Sequence, residues 1–181
     1  MGYFNPIPER NIFTDIILKW ITDIIVVILI AVLFIIYYCD KAQVVGNSMA
    51  PELSNEETIL IDKLSYTLGQ PERFDVIAYN SETGIIIKRI IGLPGEKIKI
   101  VDSKIYINGK ELKDIYFEGK YESGNLSTEI EIGTDEYFVM GDNRNVSEDS
   151  RFSYVGNINI KDILGIAWFV AAPFDKMGFI E

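Results

Sequence analysis

The chain has 181 residues, of which 48% are hydrophobic, a formal net charge of −10 and no histidine. That length allows one domain with a sizeable core plus an appendage, and the hydrophobic share points to an apolar element added to a globular part. The negative charge argues against a nucleic-acid partner, because phosphates are held by clustered Lys and Arg. The missing histidine excludes a Ser-His-Asp or Cys-His unit and removes the commonest zinc ligand.

The first predicted element is a membrane-spanning helix over 16–39. From Ile24 to Cys39, "IIVVILIAVLFIIYYC" carries no charge, and as a helix it covers roughly 24 Å of a hydrocarbon core about 30 Å thick. Ile16, Ile17, Leu18, Trp20 and Ile21 supply the missing length, with Trp20, Tyr37 and Tyr38 as interfacial aromatics at the two ends. Cys39, the single cysteine, allows no intrachain disulfide and reads as part of this run. "FIIYYCDKAQ" lacks the small residues that a signal cleavage site needs, so the helix is expected to stay attached. Arg10 and Lys19 before it outnumber Lys41 closely after it. This bias puts residues 1–15 in the cytoplasm and residues 40–181 outside.

Beyond residue 40 the pattern is β. "AQVVGNS", "ETILIDKLSY", "FDVIAYN", "GIIIKRIIG", "KIKIVDSKIYING" and "EYFVMGD" alternate or run apolar, with Gly, Pro, Asn and Asp between them. Asn108-Gly109 suits a type I′ hairpin turn. The expected fold is mainly β: an antiparallel, barrel-like sheet with a small inserted β subdomain at about 97–136. Within it, 110–134 reads as an acidic, solvated insertion. Asn125 and Asn145 each begin an N-x-S sequon.

Three stretches carry chemistry: "GNSMAPEL" at 46–53, "IIIKRIIGLPGEKI" at 85–98 and "YFVMGDNRNVSEDSRF" at 137–152. Ser48 is either a turn residue or a nucleophile. Lys88 interrupts an isoleucine strand; it either faces solvent or points inward, where lost water lowers its pKa and makes a general base. Ile86, Ile87, Ile90, Phe138 and Met140 are the apolar neighbours that could exclude that water. With no histidine, Lys88 is the most plausible base in the chain.

The S-M-x-P at Ser48, K-R-I-I-G-L-P-G-E from Lys88 and G-D-N-R-N-x-S-x-D-S-R from Gly141 to Arg151 resemble, in content, order and spacing, the boxes of type I signal peptidases. These are membrane-anchored serine proteases that remove signal peptides from exported preproteins. One spanning helix and a short insertion resemble the smaller, Gram-positive form. The resemblance implies Ser48 as nucleophile, with its backbone N–H in the oxyanion hole, Lys88 as general base and Ser147 as the group orienting the lysine. It gives Asp142, Arg89, Asp149, Arg151 and Gly141 supporting roles. Gly141, Gly92 and Gly95 are expected at tight turns. A serine that some members carry two residues before the nucleophile is Gly46 here, which leaves the side-chain half of the oxyanion hole unassigned. Val44, Met49, Leu53, Ile86 and Ile87 are the candidates for a substrate pocket, into which an extended peptide would fit small residues at −1 and −3. The implied partners are signal peptides and membrane lipid, with no cofactor, no metal, and a monomeric enzyme. A self-cleaving repressor of the Ser-Lys type would share the fold, but would carry a DNA-binding region where this chain has its apolar run. A membrane-anchored β-domain without enzymatic activity would need neither Ser48 nor Lys88.

Overall fold

A computed structural model describes residues 12–124 and 128–181, so Asn125 and its sequon lie outside the described residues. After Tyr38 the chain divides into two compact units. The first contains helix α1, Ile12–Tyr38. It begins four residues before the expected start, with Asp15 in its first turn where a negative charge complements the helix dipole. Cys39 belongs to the following strand. The stretch Phe13–Leu33 is long and apolar enough to cross a membrane, and none of it is buried within the protein.

The second unit is antiparallel β. Its strands are β1 (Cys39–Gln43), β2 (Thr58–Asp62), β3 (Val76–Ser81), β4 (Gly84–Gly92), β5 (Lys97–Val101), β6 (Lys104–Ile107), β7 (Lys110–Leu112), β8 (Ile130–Glu131), β9 (Glu136–Met140), β10 (Ile158–Asn159), β11 (Ile163–Ala172) and β12 (Gly178–Phe179). The main sheet has the order β1-β2-β11-β3-β4-β9-β10, with β12 on β11, and a four-stranded sheet has the order β7-β6-β5-β8. β3 shows why its sequence runs apolar without alternation. Val76 and Ala78 enter one core cluster, Ile77 and Tyr79 another, so both faces are covered.

Two two-residue turns shape the smaller sheet. Asn108 and Gly109 have φ of 50° and 78°, as expected, and Asp102 and Ser103, with φ of 51° and 62°, make a second such turn inside the stretch read as continuous. Asp tolerates this left-handed backbone better than most residues do. Ile98, Ile100, Ile105 and Ile107 pack against Ile91, Phe138 and Met140, which joins the smaller sheet to the strands of the main one. The expected solvated insertion is partly core. Phe117 and Tyr121 fill this same cluster. Gly92 serves a close approach, because a Cβ there would collide with Ile132, while Gly95 does take a turn with φ +75°.

Candidate active site

Ser48 sits on the loop leaving β1. The ladder continues past Gln43 through Val44 N–H to Glu57 O (2.8 Å) and Glu56 N–H to Val44 O (2.9 Å). Gly46 then turns the chain with φ +86°, its N–H held by Asn55 Oδ1 at 2.8 Å. A residue with a Cβ is strained at that φ, which gives the departure at position 46 a backbone cause. Met49 and Leu53 drop into the core while Ser48 stays half-buried at the rim.

Lys88 comes from β4, opposite Ile77 of β3, with Ile86 and Ile90 two residues away on the same side of the strand. It is 3% exposed. Its Nζ lies 2.7 Å from Ser48 Oγ. Burial lowers its pKa from 10.5 to about 8; among the nearby charges, Asp149, Asp142 and Glu148 pull it back up and Arg151 pushes it down. The chain thus brings its one candidate nucleophile and its one candidate base together across 40 residues of sequence.

The loop from Gly141 to Arg151 closes over this pair. Asn143 N–H donates to Ser48 O at 3.0 Å and Asn143 Nδ2 to Asn47 O at 3.1 Å, so the loop is tied to the serine turn itself. Asp149 accepts from Gly141 N–H at 3.0 Å and from Arg151 Nε and a terminal nitrogen at 2.7 and 2.9 Å. Arg151 in turn donates to the carbonyls of Arg144 and Ser147. Arg89, fully buried, forms a two-pronged pair with Asp142 at 2.9 and 2.7 Å and lies 3.5 Å from the centre of the Tyr116 ring. Gly141 serves close packing, not a turn. A Cβ there would collide with Ser147 Oγ and with Ser48 O.

Two expectations need correcting. Leu53 has no place in the substrate cleft: it is fully buried in the core, drawn in by the turn that its N–H closes onto Met49 O at 2.9 Å. Ser147 does not hydrogen-bond Lys88. Its buried Oγ has no hydrogen-bond partner among the described residues, while the lysine nitrogen lies against Ser48 Oγ. Val44, Met49, Ile86 and Ile87 do line a cleft of 790 Å³ that contains Ser48 and Lys88. The sequence reading also passed over Arg144. It lies buried in the third box, with Nε on Gly141 O at 2.9 Å, and pairs with Asp114 from the supposedly solvated insertion. Its signal was its place within G-D-N-R-N.

The sequence model described as "Signal peptidase, peptidase S26" matches residues 17–172. Signal peptidase I T of Bacillus subtilis is 34% identical over 91% of this chain and 90% of its own. Signal peptidase I of Bacillus amyloliquefaciens is 32% identical over 93% and 95%. The chain belongs to the signal peptidase I family. As a signal peptidase it is a hydrolase acting on the signal peptides of exported preproteins. A crystal structure of a signal peptidase I from Enterococcus faecalis V583 shares 32% identity, covering 53% of this chain and 95% of that one, with a TM-score of 0.44.

Proposed function

We propose that this signal peptidase cleaves with a Ser48 nucleophile and a Lys88 general base, after small residues of the Ala-x-Ala kind. The observation that carries the reading is the buried 2.7 Å contact between Lys88 Nζ and Ser48 Oγ. In the neutral state the amine takes the serine proton as Oγ attacks the scissile carbonyl, then delivers it to the leaving amine. Ser48 N–H, which donates to no acceptor among the described residues, stabilises the oxyanion of the tetrahedral intermediate. Asp142, Arg89, Asp149, Arg151 and Gly141 hold the loop against β4 and touch no reacting atom. Val44, Met49, Ile86 and Ile87 make the substrate pocket, an apolar wall beside Ser48 against which the small residues at −1 and −3 pack.

Helix α1 anchors the enzyme in the membrane, with residues before it in the cytoplasm and the β unit outside, so that cleavage occurs where signal peptides emerge. The enzyme acts as a monomer. The test is processing of a synthetic preprotein by the purified full chain in lipid. Ser48→Ala should abolish the cut, and a Leu or Phe at −1 of the substrate should slow it by lowering kcat as well as kcat/KM. Undiminished cleavage by Ser48→Ala would overturn the reading; equal rates for Ala and Leu at −1 would overturn the pocket assignment.

A further inference from the structure

A second cleft adjoins the one that holds Ser48 and Lys88. It measures 710 Å³, and the two share Thr83, Ile86 and Glu148 in their walls. Thr83 and Ile86 come from the β3–β4 hairpin and Glu148 from the loop that closes over Lys88, so the same two elements wall both clefts. The second cleft has an apolar side in Tyr79, Ile86 and Ile158. Its charged lining is Glu82, Glu148 and Asp162, with no lysine or arginine among its lining residues. All three carboxylates are exposed, where they can meet an incoming chain. The active-site cleft differs, carrying Lys41 as well as Glu148 at its rim.

We propose that this second cleft is a charge-selective extension of the substrate site: it takes a lysine or arginine of the preprotein near the cleaved bond and disfavours aspartate or glutamate there. This rests on the Ser48–Lys88 reading of the neighbouring cleft. Long basic side chains suit such a place because their aliphatic stems lie on apolar surface while the charged head reaches acidic groups. An aspartate or glutamate would meet three like charges and nothing to neutralise it. Glu148 has a second effect, since its charge also favours the Lys88 ammonium. Of the three carboxylates, Glu148 is the one among the leading charges acting on Lys88, so Glu82 and Asp162 are the better probes of selectivity apart from catalysis.

The experiment uses the full chain in lipid and a set of preproteins carrying a single Lys or a single Glu at each position from four residues before the cut to four after. Wild type should prefer Lys over Glu at one or two adjacent positions, by about threefold to tenfold in kcat/KM, and the preference should shrink as salt rises. Glu82→Gln combined with Asp162→Asn should flatten that preference while leaving the pH dependence of cleavage in place. Glu148→Gln should flatten it and also move the alkaline-rising limb of kcat/KM to lower pH. A wild-type profile without charge preference, or variants that keep it intact, would overturn the proposal. Cleavage that survives Ser48→Ala would instead overturn the catalytic reading beneath it.

Discussion

Lys88 concentrates the chemistry and a thermodynamic cost in one residue. With a pKa of about 8, roughly one molecule in ten holds the free amine at pH 7, against about one in several thousand for an exposed lysine. The expected kcat/KM therefore rises with pH along a limb centred near 8, measurable on a preprotein whose own groups do not titrate there. The same burial destabilises the fold. The folded pKa lies below the ordinary 10.5, so the cost is complete below pH 8, fades between 8 and 10.5, and is absent above. At about 1.4 kcal/mol per unit, this gap is on the order of 3 kcal/mol. Lys88→Met should be inactive yet more stable than wild type at pH 7, with the difference in urea midpoint shrinking toward pH 10. Equal stability at both pH values would show that the ammonium is not desolvated. The sequence disclosed this residue because a lone lysine among isoleucines, in a chain without histidine, has few other uses. The orphan hydroxyl of Ser147 was not legible, since rotamer choice depends on atoms from three separate segments.

At the scale of elements, the Gly141–Arg151 loop is held by buried charge. Arg89 and Asp142 are almost fully enclosed, so removing one partner leaves the other without compensation in a poorly solvating interior. Asp142→Asn should cost about 3 kcal/mol or more, read as a lowered urea midpoint, and a change within about 0.5 kcal/mol would mean that Phe74 O, Glu181 O and Tyr116 alone satisfy Arg89. β10, which follows this loop with only Ile158–Asn159, is too short to show a pattern, but β9 before it was readable from its apolar run. β11 was not, although it lies at the centre of the main sheet between β2 and β3. Its sequence, "ILGIAWFVAA", is apolar on both faces and so shows no period that separates strand from buried helix. The Asp102-Ser103 turn was missed for a different reason: Asp and Ser are common in turns but lack the glycine that makes Asn108-Gly109 a distinct hairpin signal. Asp114 escaped notice because a charged residue in an acidic stretch gives no hint of the buried arginine it will meet.

For the whole molecule, the long apolar helix and the β unit have separate tasks in the proposed account. A chain beginning at Cys39 keeps β1 and its pairing with β2, and it should fold. It should nevertheless process a full-length preprotein in lipid vesicles at least tenfold more slowly than the full chain, because substrate and enzyme no longer share a surface. Equal rates would remove the anchoring role from α1. The helix was legible from composition alone, whereas the closure of three distant boxes around one serine depends on strand order, which no local pattern encodes. The central claim is that Lys88 acts as the base for Ser48. Its most direct measurement is preprotein processing by full-length Lys88→Arg in lipid, with thermal unfolding run beside it to show that the fold persists. A guanidinium stays protonated and cannot accept the serine proton. The account predicts a folded enzyme with processing reduced by about a thousandfold or more; a folded Lys88→Arg protein that cuts at near the wild-type rate would contradict it.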